Sequence, residues 1–278
     1  MADVKSTFKA FQTQGKLFIL LAAVVLIIVW GIETPQGVLG KADAVGYAVC
    51  HRIDIRSFHI GVRQLPLCAR CTGQYIGAMV GLLFQAIFSR RRSGFPTKRV
   101  FIFLGFLCLA FAVDGLNSYF SLPPLLEAFP SLPRLYMPSN GLRLLTGSGL
   151  GLALAVVLYP AFIGTIYARL DNRPAISGVK SLFIMVGLCL IADLLILTGS
   201  SIILYPAAII SALGVIILLS FAYTIVILRI FNKVNKYERL SQILLPLLAG
   251  LFITMFQIAV FDMIRYILTG TWSGFVFG

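Results

Sequence analysis

The residues best equipped for chemistry crowd into one short stretch. Both histidines and three of the five cysteines of the 278-residue chain lie between Cys50 and Cys71. Cys68 and Cys71 form a Cys-x-x-Cys pair, a spacing that lets both sulfurs reach one metal ion. The pair precedes an apolar run whose helical N-terminus favours thiolates. Cys50 and His51 complete a Cys₃His set, one of the tetrahedral donor sets of zinc. Adjacent residues have difficulty ligating one ion together, so His59 competes with His51 as the fourth donor. The same Cys-x-x-Cys pair also suits thiol–disulfide exchange, although three cysteines cannot all pair within one chain and a disulfide leaves a free thiol. A third reading makes them packing residues, as expected for Cys108 and Cys189 inside apolar runs.

The stretch is also rich in arginine. Arg56, Arg63 and Arg70, with Arg52, either anchor the loop among lipid headgroups or form an anion site for a phosphate or carboxylate. Further along, Asp114, Asn140 and Arg143 interrupt apolar segments, where charges are costly and mark either sites or registering ion pairs. They are expected to gather as a polar pocket beneath the Cys/His loop. The structural alternative is an Asp114–Arg143 pair, with Asp262–Arg265 one helical turn apart.

The elements that must position these residues are membrane helices. Hydrophobic residues make up 59% of the chain and charged residues only 12%, with a mean hydropathy of +0.95; this composition excludes an ordinary soluble domain. Apolar blocks at Leu17–Ile32, Cys71–Phe88, Val100–Tyr119, Leu142–Ala168, Ser181–Leu197, Ile203–Leu228 and Ile243–Leu268 approach or exceed the length needed to cross a bilayer. The expected fold is an all-α membrane protein, a polytopic bundle of about seven transmembrane helices. Residues 1–44 supply a retained N-terminal anchor and the start of the loop, 45–155 the core with the Cys/His loop, and 156–278 the remaining spans. Pro160 offers the fourth block a place to kink or end. Gly73, Gly77 and Gly81, at four-residue spacing, read as a helix-packing seam.

Fifteen of the 23 Lys and Arg, Lys5, Lys9 and Lys16 among them, fall on one side if the N-terminus is cytoplasmic, so the expected topology is N-in, C-out. That places the Cys/His loop on the extracytoplasmic face of a bacterial cytoplasmic membrane. The net charge of +13 is then a topological signal, since the cations flank spans instead of forming a stripe for nucleic acid. The implied partners are the lipid bilayer and an anionic or lipid-like small molecule.

Cys50-His51, Arg56-Ser57-Phe58, Arg63-Gln64-Leu65-Pro66-Leu67-Cys68-Ala69-Arg70-Cys71-Thr72-Gly73 and Tyr75-Ile76-Gly77 resemble the signature of the membrane proteins grouped as domain of unknown function 2085. Asp114-Gly115 and Asn140-Gly141-Leu142-Arg143-Leu144-Leu145-Thr146-Gly147 are similar to that family's second and third motifs. The resemblance covers roughly residues 45 to 155. It implies a small helical membrane domain and groups Cys50, His51, Cys68, Cys71, Asp114, Asn140 and Arg143 as motif residues, favouring His51 over His59. Three functions follow: a zinc or other divalent-metal membrane protein, an enzyme among the options; a thiol–disulfide oxidoreductase; and a transporter or assembly subunit.

Overall fold

The computed structural model describes residues 20–129, 131, 133–176 and 178–274; Lys5, Lys9, Lys16 and the start of the first apolar block lie outside them. In hydrocarbon every backbone polar group must be satisfied within the chain, so apolar segments close into helices. Six helices are long and apolar enough to span a bilayer: α3 (Ala69–Phe88), α4 (Lys98–Phe120), α6 (Asn140–Ile166), α7 (Val179–Leu197), α8 (Ser201–Ile230) and α9 (Leu240–Thr269). A bent pair, α1 (Leu20–Glu33) and α2 (Gly37–Val49), makes a seventh when counted as one span. The protein is an all-α membrane bundle, as its composition predicts. α6 continues through Pro160 to Ile166.

The 106° bend between α1 and α2 has a local cause. Pro35 follows the end of α1, and Gly37 takes a φ of +79°, open to a residue without Cβ. Lys41 Nζ reaches back to the carbonyls of Gly31 and Thr34 and to Thr34 Oγ1, satisfying acceptors that the broken helix leaves open. α2 then packs against α8 and α9. Periodicity had not separated α2 from the loop.

α3 and α6 form the central pair, with α8 against α3 and α4 against α6. Their approach is set by glycine. A Cβ on Gly73 or Gly77 would overlap the carbonyl oxygen of Leu144 or Ser148. One on Gly147 or Gly151 would overlap that of Arg70 or Gln74. Lipid tails are as apolar as leucine, so such backbone approach and its many dispersion and Cα–H···O contacts hold helices together in a membrane. Gln85 adds a buried hydrogen bond from Nε2 to Ala155 O at 2.9 Å.

The connections sort to two ends. At one end lie the Cys50–Cys68 loop, the α4–α6 connection with the short helix α5 (Pro123–Ala128) and the α7–α8 turn. At the other, β1 (Arg92–Gly94) pairs with β2 (Asp171–Pro174), and Ala168 N–H donates to Tyr237 O at 2.9 Å. These ties join the α3–α4, α6–α7 and α8–α9 connections.

The seam makes a sharp prediction. Gly151→Val forces a side chain into the backbone of α3 and should destabilise the folded protein by about 1–3 kcal/mol or more. Gly105→Leu on α4, where a Cβ meets nothing within 4 Å, should be neutral. Thermal unfolding in detergent, followed by size-exclusion chromatography, reads both.

Candidate metal centre and the polar network beside it

Cys50, Cys68 and Cys71 come together. Their three sulfurs lie within 4.8 Å of one another, and all three are free thiols. Each is delivered by a different feature. Cys71 sits in the first turn of α3 and Cys68 at its N-cap, so two residues of separation become one turn of helix. Cys50 ends α2, 18 residues earlier, and arrives by packing. A Cβ on Gly46 would overlap the carbonyl oxygen of Pro66, so α2 lies directly on the segment leading into Cys68.

A second clamp comes from α9. Arg265 Nη1 donates to the carbonyls of Tyr47 and Cys50, both at 2.6 Å, and Nη2 to that of His51 at 3.1 Å. Its guanidinium stands 4.0 Å from the centre of the Tyr47 ring, a cation–π distance. Arg265 therefore holds the end of α2 where Cys50 must sit. The expected Asp262–Arg265 ion pair is absent among the described residues, and Asp262 Oδ2 accepts the Trp30 indole N–H at 2.9 Å.

The electrostatics favour one thiolate, at Cys68. The backbone N–H groups of Arg52 and Cys68 each point at Cys50 Sγ from 3.4 Å. Hydrogen bonding with Cys50, then with Cys71, holds the Cys68 thiol well below its ordinary value, aided by the nearby Arg70 charge. The same interaction, joined by burial, pushes the Cys50 thiol up to about 12. Sulfurs on one tetrahedral zinc at about 2.3 Å stand about 3.8 Å apart, so the observed cluster is near the spacing an ion needs. Among the described residues, no histidine or carboxylate joins the group. His51 is exposed, and His59 Nε2 lies 2.9 Å from Asp54 Oδ1.

Beside the sulfurs lies a network centred on Asp114, which is 1% exposed. Arg70, between the two cysteines of α3, grips Asp114 Oδ2 through Nε and Nη2 and its carbonyl through Nη2. Tyr136 Oη donates to Oδ1 at 2.9 Å and Thr146 Oγ1 to Oδ2 at 3.3 Å. The carboxylate is thus paired with Arg70, where helix order alone pointed to Arg143. Arg143 instead donates to Ser118 Oγ at 3.0 and 3.1 Å and to Asn140 Oδ1 at 2.8 Å. Asn140 Nδ2 reaches Ile55 O and Ser57 O at 3.4 and 3.3 Å, tying α6 to the Cys loop. Arg56 Nη2 donates to Ser118 O at 2.8 Å, and burial, with the Arg70 charge next, lowers its pKa.

Arg70 alone of the three arginines contacts the carboxylate, and Arg56 and Arg143 meet at Ser118. Arg63 is directed elsewhere, to Asp43 Oδ2 at 2.5 Å, and Arg52 takes the other oxygen at 3.0 Å. Ser118, Tyr136 and Thr146 were not legible as members. Ser118 lies one helical turn after Asp114, a signal that could have found it. Tyr136 reaches the site from the connection between α5 and α6; Leu135 N–H and Tyr136 O both hydrogen-bond Asn117.

Residues 50–157 match the family model described as "Predicted membrane protein (DUF2085)". That stretch is similar to the family. It begins at Cys50 and contains the sulfur cluster and the whole Asp114 network. An uncharacterized protein of Methanocaldococcus jannaschii is 29% identical over 126 residues, covering 45% of this chain and 71% of its own length. Another, from Methanothermobacter thermautotrophicus, is 28% identical over 109 residues, covering 39% and 83%. Both organisms are archaea, so the similarity does not single out a bacterial membrane. No solved structure matches the chain.

The buried Arg70–Asp114 pair should show the asymmetry of such pairs. Asp114→Leu alone strands a guanidinium and should cost about 3–5 kcal/mol, whereas Arg70→Met/Asp114→Leu should recover most of that loss. Unfolding midpoints of the three proteins in detergent test this; a double variant as unstable as the single one contradicts it.

Proposed function

We propose that the chain is a membrane protein whose working centre is a three-thiolate site for zinc or another soft-to-borderline divalent ion at the rim of the bilayer. One observation carries the reading: three sulfurs from two helix ends lie within 4.8 Å of one another. Thiolate sets select zinc and softer ions over magnesium or calcium. Cys50, Cys68 and Cys71 would hold the ion. A fourth position goes either to His51, after the loop adjusts, or to an exogenous molecule. The first arrangement makes the metal a structural clasp on the loop; the second makes it a Lewis acid open to substrate.

The Arg network supports an anionic ligand close by. Arg70 pairs with Asp114 while Arg56 and Arg143 converge on Ser118, one helical turn along α4, so the cluster carries two positive charges in excess. A phosphate or carboxylate headgroup complements that charge at a membrane surface. Fifteen of the 23 basic residues favour a cytoplasmic N-terminus and an extracytoplasmic Cys loop.

Protein purified in detergent should carry about one zinc per chain by elemental analysis, consistent with one three-sulfur site. Cys68→Ser and Cys71→Ser should each lose most of it, while Cys108→Ser retains it. Thiol counting runs beside the metal assay. Metal-free wild-type protein with an intact fold overturns the proposal, and a reducible disulfide in it favours thiol–disulfide exchange.

A further inference from the structure

A groove of about 230 Å³ lies between α4, α6 and α7, with none of Cys50, Cys68 and Cys71 in its lining, walled by Leu107, Leu145, Gly149, Val186 and Leu190. Phe106, Leu145 and Leu190 at its margin are substantially exposed on the bundle surface, which in a membrane means exposed to lipid. A molecule entering here therefore comes from the bilayer and brings an apolar body.

The groove also contains one polar feature that the protein leaves incomplete. Asp193, 3% exposed, lines it beside Ser148. Ser148 Oγ stands 2.6 Å from Asp193 Oδ1, but also 3.3 Å from Gly73 O, and a hydroxyl has one proton to give. Asp193 Oδ2 is buried with no hydrogen-bond partner, and none of the ion pairs among the described residues includes this carboxyl. The contrast with Asp114, held by Arg70 and Tyr136 on both carboxylate oxygens, is direct. A carboxyl whose role is helix registry is paired; one left short of donors beside a cavity has room for a donor from outside.

We infer that this groove binds a membrane-dissolved molecule with an apolar body and one hydrogen-bond donor at its head, an alcohol or a primary amine, with the donor directed to Asp193 and Ser148. Apolar walls with a few convergent polar groups are the usual make-up of a small-molecule site. The inference stands independently of the thiolate centre.

Photolabelling of the full chain in phosphatidylcholine nanodiscs tests it, using three diazirine probes of equal chain length: a long-chain alcohol, its methyl ether and the corresponding amine. At least one donor-bearing probe should label the segments around Leu107 and Val186 roughly tenfold more than the ether, the worth of one hydrogen bond to a buried acceptor. Preference for the alcohol or for the amine identifies the head group, and either supports the site. Asp193→Leu should abolish the preference. Val186→Trp, which fills the groove and leaves Asp193 in place, should suppress labelling there by all three probes. Equal labelling by the ether, a preference that survives Asp193→Leu, or undiminished labelling of Val186→Trp overturns the inference and leaves a plain lipid groove.

Discussion

The close approach of α3 to α6 is the constraint on which the rest of the molecule depends. Four glycines, Gly73 and Gly77 on α3 and Gly147 and Gly151 on α6, bring the two backbones together without intervening side chains, and Gly81 makes room for the Ala155 and Leu152 side chains. In a bilayer there is little hydrophobic gain from pressing one helix on another, so packing at backbone distance supplies the attraction. The functional consequence is positional. α3 carries Cys68, Arg70 and Cys71, and α6 carries Asn140, Arg143 and Thr146. Locking the helices therefore fixes the sulfur end of one against the polar first turns of the other.

Cys50 depends on a different mechanism. It lies outside any spanning helix, and two unrelated features bring it to the Cys-x-x-Cys pair: the close contact of Gly46 with Pro66 and the Arg265 clamp on the carbonyls that end α2. The matched segment 50–157 contains the three cysteines, but Arg265 belongs to α9, beyond that segment. The C-terminal helices thus do more than extend the core. α9 positions the strand of chain that completes the sulfur cluster, and its Asp262 fixes α1 through Trp30.

The polar groups of the bundle divide by how well they are satisfied. Asp114 is saturated with donors and acts as the hub joining α3, α4, α6 and the connection that carries Tyr136. Asp43 similarly gathers Arg52 and Arg63. Arg56 and Arg143 turn to neutral acceptors on Ser118 and Asn140, which leaves their charge uncompensated. Asp193 sits at the other extreme, short of donors. In a low-dielectric surround such differences are energetically large, so the under-satisfied groups are where a ligand has most effect.

The sequence by itself determined the membrane bundle, because apolar runs of spanning length have no alternative to helix in hydrocarbon. Six of the seven blocks coincide with spanning helices to within a few residues, the described part of the first falls on α1, and the glycine spacing on α3 announced its seam. The Cys-x-x-Cys pair was legible for the same local reason: three positions along a helix start is about one turn in space. Only the tertiary structure decided what lies far apart in the chain. It paired Asp114 with Arg70 instead of Arg143, brought Cys50 to Cys68 and Cys71 while His51 stayed outside the sulfur group, and set Arg265 on the end of α2 instead of on Asp262. Those choices depend on helix rotation and on which carbonyls a bend exposes. Neither leaves a period in the sequence, and the bent α1–α2 pair escaped notice because its break comes from one proline, one glycine and a lysine reaching back.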